Sequence, residues 1–149
     1  MATLRTRVTA SETGESQFAV RIEMGDHEII GDEPSSAGGG GLGPNPFDLI
    51  SAALAECTVM TVRWFASQRE WPLDHVEVVV DHSKIQHAGA TRAVDVFEKT
   101  LFIRGPELNN EQYTRLIDIA DKCPIQRLLQ AAPIITTKAG TPLDERFDR

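Results

Sequence analysis

The order of predicted elements places this chain in the α+β class, with antiparallel pairing between its strands. Strands come first, one long helix follows, and further strands precede a second, broken helix and a last strand. Such segregation is typical of α+β folds and differs from the regular strand–helix alternation of a wound parallel sheet. Period-two alternation of apolar residues predicts strands, and apolar residues at helical spacing predict the helices.

The first part of the chain is predicted to form antiparallel strands. Residues 3–10, 17–24 and 27–30 are the predicted strands, and the alternation is clearest in residues 17–24. Gly25-Asp26 is a turn signal between two of these strands. The sequence therefore predicts a hairpin centred on this turn.

A glycine-rich segment follows at residues 35–43, with four consecutive glycines at positions 38–41. Glycine loses more backbone freedom on ordering than any other residue, so this segment is predicted to be a flexible loop. It lacks the lysine and the Ser/Thr of a phosphate-binding loop, and no clear strand leads directly into it. These features argue against a nucleotide site.

Residues 47–66 are predicted to form the central helix of the fold. Asn45 suits the N-cap, Pro46 suits the first helical position, and the Asp48 carboxylate can reach back to free N–H groups. Apolar residues go most of the way round this helix, which predicts burial on nearly all sides. Charged residues interrupt the apolar run, so a membrane span is not expected.

The second half of the chain is predicted to add a second pair of strands and a last strand. Alternating apolar residues predict strands around residues 76–80 and 93–104, with a polar connection between them. Residues 133–138 are predicted to form the last strand. Residues 140–149 are predicted to be a polar tail.

The bulk properties are those of one soluble globular domain spanning residues 1–149. Hydrophobic residues make up 41% and charged residues 25% of the chain. The formal net charge of -7 argues against a nucleic-acid partner, and residues 1–10 lack the apolar core of a signal peptide. The 2 cysteines are too few for a disulfide scaffold, so we expect a cytoplasmic protein with reduced thiols.

The two cysteines occupy different predicted environments. Cys57 lies on an apolar face of the central helix, where it is either a small core residue or a reactive thiol. A second helix is predicted from Asn109 or Asn110 and breaks at Cys123-Pro124, because proline removes a helical hydrogen bond. Cys123 is then either the N-cap of a new helix, where a thiolate is favoured, or a residue tucked under the kink. The sequence leaves both pairs of alternatives open.

Several short motifs resemble those of the OsmC/Ohr family, which comprises osmotically inducible protein C and the organic hydroperoxide resistance proteins. The resemblance covers residues 17–138. Its motifs are Asp32-Glu33-Pro34, Gly43-Pro44-Asn45-Pro46-Phe47-Asp48-Leu49, Ala52-Ala53-Leu54-Ala55-Glu56-Cys57, Trp71-Pro72-Leu73, Val76-Glu77-Val78 and Cys123-Pro124.

This resemblance implies a fold, an activity and partners. It implies an OsmC-like fold in which antiparallel sheets wrap two central helices of an intertwined homodimer. Cys57 matches the peroxidatic cysteine that attacks an organic hydroperoxide, and Cys123 matches the resolving cysteine that forms a disulfide with it. A dithiol reductant, of the lipoyl type in particular, then restores the thiols, and an apolar dimer interior would favour alkyl or lipid peroxides.

The chain departs from the family pattern around the thiols. The glutamate that normally follows Asn-Pro is replaced by Phe47, and the glycine loop contains no arginine. Asp48 is either a substitute for the glutamate or a helix cap. Arg21 and Arg127 are the candidate supporting arginines, and Arg63 is a further one; Arg127 lies one turn beyond Cys123, where its charge would lower the pKa of that thiol.

Two functions follow as hypotheses. The first is a cysteine-based peroxidase acting in oxidative stress defence, and the second is a catalytically weak dimeric protein that binds an apolar small molecule. Neither requires a cofactor. The histidines His75, His82 and His87 match no metal-ligand spacing, so no metal is expected.

Overall fold

The computed structural model describes residues 5–141 of the chain and confirms a mixed α+β architecture with antiparallel sheets and three helices. Residues 3 and 4 of the first predicted strand and residues 142–149 of the predicted tail lie outside the described residues. In chain order the elements are β1 (Val8–Glu12), β2 (Val20–Met24), β3 (His27–Gly31), a short 3-10 turn (Ser35–Ala37), α1 (Pro46–Gln68), β4 (His75–Ile85), β5 (Val94–Arg104), α2 (Asn110–Ala120) and α3 (Pro124–Gln130).

The strands form two separate antiparallel sheets. One has the order β1-β2-β3, and the other is the long pair β4-β5. In the first sheet Ile22 lies opposite Ile29, and in the second Val78 lies opposite Leu101. Gly25 has a positive φ of 62° in the turn between β2 and β3, a conformation that glycine adopts without strain. The predicted hairpin at Gly25-Asp26 is confirmed, and the two strands on either side of the predicted polar connection pair with each other as β4 and β5.

Three strand predictions need correction. β1 covers Val8–Glu12 rather than residues 3–10, because it extends only as far as its pairing with β2, from Val8 opposite Met24 to Glu12 opposite Val20. β2 begins at Val20 rather than at residue 17, because the preceding residues form a turn in which Ser16 Oγ accepts from the Phe18 and Ala19 N–H groups. Residues 133–138 form no strand, and Ile134 is 94% exposed. A strand needs a neighbour to receive its backbone hydrogen bonds, and within residues 5–141 this segment pairs with none.

The glycine-rich segment is folded around one carboxylate, which corrects the prediction of a flexible loop. Asp32 is buried, and its oxygens accept hydrogen bonds from the Ser16 hydroxyl and from the backbone N–H groups of Glu33, Gly40 and Leu42. A Cβ added at Gly39 would overlap the Glu33 carbonyl. Glycine is required there because the backbone approaches itself so closely.

These hydrogen bonds make Asp32 a source of acid-sensitive stability. Burial raises the pKa of Asp32, but the bonds from Ser16 and the loop N–H groups outweigh it, and the net pKa falls below the ordinary 3.8. A lowered folded-state pKa contributes stability above the unfolded-state value and loses it as pH falls through the folded-state value. We expect Asp32→Asn to lower the free energy of unfolding at pH 7, with the deficit shrinking below pH 3.8.

Urea unfolding at pH 7 and at a pH below 3.8 measures this effect. Asp26→Asn is the matched control, because Asp26 is exposed in the turn between β2 and β3 and should change stability little at either pH. A deficit of the same size at neutral and acid pH would contradict this role for the ionised Asp32.

Helix α1 starts as the sequence predicts. Asn45 and Asp48 form a reciprocal capping box, in which the Asp48 N–H donates to Asn45 Oδ1 at 3.0 Å and the Asn45 N–H donates to Asp48 Oδ2 at 2.9 Å. Pro46 takes the first helical position. These contacts satisfy N–H groups that would otherwise lack partners at the helix start.

Burial of α1 is one-sided in the single chain, not all round as predicted. Its buried residues are Leu54, Thr58, Val62, Phe65 and Ala66. The opposite face carries Met60 and Trp64, which are 60% and 62% exposed. The charged residues in α1 argued against a membrane span. By length and composition alone, however, α1 is long and apolar enough to cross a membrane. Its packing against α2 and β4 favours a core helix.

The hydrophobic core lies between α1, α2 and the sheet β4-β5. Its buried members are Val62, Phe65, Ala66, Leu73, Val76, Leu116, Ile119 and Ala120. Asn109 and Gln112 form a second capping box at the start of α2. α2 ends at Ala120 and α3 begins at Pro124 with Cys123 as its N-cap, which confirms the predicted break. This packing fixes the end of α2, and therefore Cys123, against α1.

Candidate active site

The fold brings the two cysteines together. Cys57 projects from the middle of α1, and Cys123 caps the N-terminus of α3, which packs on α1. The Cys57 thiol lies close enough to Cys123 to help lower the pKa of that sulfur, and both cysteines are free thiols. Cys57 is half-buried, whereas Cys123 is fully buried. The arrangement presents one thiol to the surface with the second directly behind it.

Cys123 is surrounded by hydrogen-bond donors. The Gln126 N–H donates to its sulfur at 3.3 Å, and the Thr58 hydroxyl lies 3.6 Å from it. Burial raises the pKa of Cys123, but the donors Gln126, Thr58 and Cys57 and the charge of Lys99 outweigh it and lower the pKa below its ordinary value of 9.0. The surroundings of this buried sulfur therefore favour the thiolate.

Lys99 is a site residue that sequence reasoning missed. Its side chain is only 10% exposed, and its Nζ donates to the Ala120 carbonyl at 2.7 Å and approaches Thr58 Oγ1 at 3.5 Å. Lys99 falls on the inward side of β5, in alternation with Leu101 and Ile103, which pack on the core. A lysine at an inward position of a strand is the signal that would have found it.

An open groove leads from the surface to Cys57. It has a volume of about 650 Å³ and is mainly apolar, with one acidic and one basic residue, Glu56 and Lys122, on its walls. The groove is lined by Ala53, Glu56, Cys57, Met60, Thr61, Trp64, Lys122, Pro124 and Ile125. A small apolar molecule in this groove would meet the Cys57 thiol first.

The other predicted supporting residues lie elsewhere. Arg21 is half-exposed on β2, where its Nε lies 3.3 Å from Glu28 Oε1. Asp48 is engaged in the capping box, nine residues or about 13 Å along α1 from Cys57. Arg127 is exposed in the last turn of α3, and the cation that lowers the pKa of Cys123 is Lys99 on β5. Arg63 donates to the Leu73 and Asp74 carbonyls after α1.

Phe47 has a packing role at the start of α1. Its ring stacks on the His82 ring with centroids 4.6 Å apart and planes 8° apart, and Phe97 covers His82 at 4.7 Å. His82 Nε2 also lies 2.8 Å from Asp95 Oδ1. An aromatic stack therefore occupies the position where the family motif has a carboxylate.

Two antiparallel sheets, a long helix carrying one cysteine and a helix cap carrying the other define a two-cysteine α+β protein. The family model for the OsmC-like protein matches residues 38–138 of this chain. The chain therefore belongs to the OsmC-like family. A comparison with curated protein sequences found no significant match.

Solved structures share this fold at low sequence identity. An OsmC-like protein from Mycoplasma pneumoniae is 19% identical with a TM-score of 0.70, over 87% of this chain and 89% of that one. An organic hydroperoxide resistance protein from Legionella pneumophila is 22% identical with a TM-score of 0.63, over 87% and 92% of the two chains. The organic hydroperoxide resistance protein OhrB of Bacillus subtilis is 23% identical with a TM-score of 0.58, over 87% and 93%.

Proposed function

We propose that this protein is a thiol-dependent peroxidase that reduces organic hydroperoxides in oxidative stress defence. The observation that carries the proposal is the pair of neighbouring free thiols, Cys57 at an apolar groove and the buried Cys123 behind it. A thiolate is the side chain that attacks an O–O bond, and a second thiol within reach keeps the oxidation reversible. Structural relatives named as organic hydroperoxide resistance proteins support the same chemistry.

The proposed reaction uses the two sulfurs in turn. The Cys57 thiolate attacks the terminal peroxide oxygen, an S–O bond forms, the O–O bond breaks, and the alkoxide leaves as an alcohol after taking a proton. Cys123 then attacks the Cys57 sulfenic acid, which forms an S–S bond and releases water. A dithiol, of the lipoyl type in our proposal, reduces this disulfide by thiol–disulfide exchange. The net change is one hydroperoxide and one dithiol converted into alcohol, water and oxidised dithiol.

The groove supports an organic substrate over hydrogen peroxide. Met60, Trp64 and Ile125 offer apolar surface beside Cys57. Burying an alkyl or aryl group there contributes binding free energy of roughly 25 cal/mol per Å² of apolar surface, which hydrogen peroxide lacks. We therefore propose cumene hydroperoxide and similar apolar peroxides as substrates.

A turnover assay tests the proposed activity. Reduced protein is mixed with cumene hydroperoxide and either dihydrolipoamide or dithiothreitol, and peroxide loss is followed with Cys123→Ser as a matched variant. We expect multiple turnovers with the wild type and faster consumption of cumene hydroperoxide than of hydrogen peroxide. Absence of consumption above the rate without protein would contradict the proposal.

A second candidate function is binding of an apolar small molecule without turnover. Two observations favour it: Phe47 stands in place of the motif glutamate, and Arg21 is paired with Glu28 on the sheet. The same groove would then be the ligand site. Binding of a non-peroxide analogue such as cumyl alcohol, together with no peroxide consumption, would favour this candidate over the peroxidase.

We also propose that the protein is a homodimer in which α1 is covered by a second copy. Apolar residues outside the core are exposed on several elements, among them Met60 and Trp64 on α1, Phe102 on β5 and Ile134 near the end of the described chain. An apolar surface of this extent is typical of an interface.

Light scattering at micromolar protein concentration measures the assembly. We expect a mass twice the 16.4 kDa of one chain, retained on dilution, because removing these side chains from water stabilises the pair. A mass of one chain at every concentration would contradict the proposed dimer. We also propose that the protein acts in the cytoplasm, because a reaction driven by a dithiol and free thiols fits a reducing compartment. We propose no nucleic-acid or membrane partner.

A further inference from the structure

We propose that Lys99 and Thr58 together hold Cys123 as the resolving thiolate, with Thr58 touching the sulfur and Lys99 acting through Thr58 as a positioning residue. This inference rests on the proposed function, since it assigns residues to the resolving step of that reaction. It also identifies the cation of this site as a lysine on β5 rather than an arginine near the glycine loop.

The Thr58 hydroxyl has two possible acceptors and one proton. It lies 2.7 Å from the Leu54 carbonyl oxygen, one turn back along α1, and 3.6 Å from the Cys123 sulfur. When Cys123 is a thiol, the shorter bond to Leu54 is favoured. When Cys123 is a thiolate, the charge makes sulfur the stronger acceptor, and the hydroxyl turns toward it. Thr58 therefore responds to the charge state of Cys123 without moving its backbone.

Lys99 supplies the positive charge behind Thr58. Its Nζ donates to the Ala120 carbonyl at 2.7 Å, where the last turn of α2 presents its partial negative charge. The same Nζ lies 3.5 Å from Thr58 Oγ1 and 4.0 Å from Asp121 Oδ1. Asp121 is 77% exposed and therefore solvent-screened, so the Lys99 charge remains available to the buried sulfur.

The groups that face Cys123 come from three sides. Cys57 and Thr58 face it from α1, Lys99 faces it from β5, and the Gln126 N–H faces it from α3. Near it in sequence, Asp121, Lys122 and Arg127 are exposed, and Glu56 lies on the groove wall. Lys99 is the buried cation of this set, and a buried charge acts more strongly than an exposed one at similar distance.

The step itself is nucleophilic displacement at sulfur. The Cys123 thiolate attacks the Cys57 sulfenic sulfur, the S–S bond forms, and the S–O bond breaks. Hydroxide leaves into the groove, where the proton that Cys123 gave to solvent on ionising converts it to water. The negative charge leaves Cys123 as the disulfide forms. The Thr58 hydroxyl then returns to the Leu54 carbonyl, and Lys99 keeps its bond to the Ala120 carbonyl.

Titration of a single thiolate tests directly whether Lys99 and Thr58 stabilise the Cys123 thiolate. In the Cys57→Ser background Cys123 is the remaining cysteine, and its thiolate is followed by ultraviolet absorbance against pH. We expect a midpoint below 9.0, and addition of Lys99→Met or Thr58→Val should raise it by about one pH unit, which is a tenfold loss of thiolate. Lys122→Met is the matched control, because Lys122 is an exposed lysine next to Cys123 in the chain and should leave the midpoint unchanged.

Single-turnover oxidation with both cysteines present tests the consequence. Cumene hydroperoxide is added to reduced protein, sulfenic acid is trapped with dimedone, and disulfide is measured by mass spectrometry. We expect Lys99→Met and Thr58→Val to slow disulfide formation about tenfold at pH 7, with recovery at alkaline pH and little change in Cys57 oxidation. Thr58→Ser should retain the wild-type rate, since it keeps the hydroxyl.

The outcomes separate the role of Lys99 and Thr58 from the proposed function. A midpoint at or above 9.0 in Cys57→Ser alone, or equal shifts for Lys99→Met and Lys122→Met, would overturn the proposal that Lys99 and Thr58 hold the Cys123 thiolate. The midpoint in Cys57→Ser alone is measured without Lys99→Met or Thr58→Val, so it does not depend on whether those variants fold. Absence of Cys57 oxidation in the wild type would overturn the peroxidase proposal instead, while the titration would still decide whether Lys99 and Thr58 hold the Cys123 thiolate.

Discussion

Replacing Cys57 with serine is expected to lower cumene hydroperoxide consumption by roughly 10³-fold or more. The serine hydroxyl has nearly the same shape, but it is a far weaker nucleophile at neutral pH than a thiolate. Cys57 borders the groove, whereas Cys123 is fully buried and has no direct path to a bound peroxide. The second thiol is therefore unable to replace the first, and peroxide loss should fall to the rate without protein.

Cys123→Ser is the matched control for this experiment, because it removes the other sulfur. We expect it to keep the first oxidation, which consumes about one equivalent of peroxide and leaves Cys57 as sulfenic acid. Further equivalents of peroxide should then over-oxidise Cys57. Equal rates for the wild type and Cys57→Ser would contradict the assignment of Cys57. A complete loss of the first oxidation in Cys123→Ser, with Cys57→Ser active, would reverse the two roles.

Truncating Leu116 to alanine is expected to lower the free energy of unfolding by about 2–5 kcal/mol. Leu116 is fully buried, and it belongs to the core cluster that joins α1, α2 and β4. The loss combines the transfer free energy of the deleted methyl groups with the cavity that they leave. Since α2 leads directly to Cys123, the same cavity should also loosen the position of Cys123 beside Cys57.

Urea unfolding measures this effect, with Leu116→Met as the volume-conserving control. The methionine variant should cost less than about 1.5 kcal/mol, because it fills most of the same space. An alanine variant as stable as the wild type would show that α2 contributes little to the core. Slower disulfide formation in Leu116→Ala would link the packing of α2 to the geometry of the thiols.

Local signals predicted much of the fold. Asn45, Pro46 and Asp48 fixed the start of α1, since capping acts over four residues and needs no distant partner. The proline after Cys123 fixed the start of α3 for the same reason. Alternating apolar residues located β4 and β5, although the bounds of several strands shifted by a few residues.

Features that depend on distant contacts were predicted less well. Order in the glycine-rich segment depends on the Asp32 carboxylate and on Ser16, which lies far from this segment in the chain. Residues 133–138 have strand composition but no partner strand among residues 5–141. Burial of α1 was predicted on nearly all sides, and in the single chain the face with Met60 and Trp64 is open. Each of these outcomes depends on tertiary or quaternary contacts rather than on local propensity.

In the candidate site, too, residues in recognisable motifs were predicted and a residue placed by distant contacts was not. The family resemblance identified Cys57 and Cys123, and the fold brings them together. Lys99 belongs to no motif of the site, because its place there depends on the packing of β5 against the middle of α1 and the end of α2. Arg127 is adjacent in sequence but exposed, so sequence proximity was a poor guide to electrostatic influence.

The most direct test of the proposed chemistry is the mass of the protein after one equivalent of cumene hydroperoxide. The reduced wild type should lose two hydrogen atoms, and a peptide map should show one disulfide joining Cys57 to Cys123 within a chain. Added dithiol should restore the original mass. An unchanged mass, or a stable gain of oxygen without the disulfide, would contradict a redox cycle built on this pair.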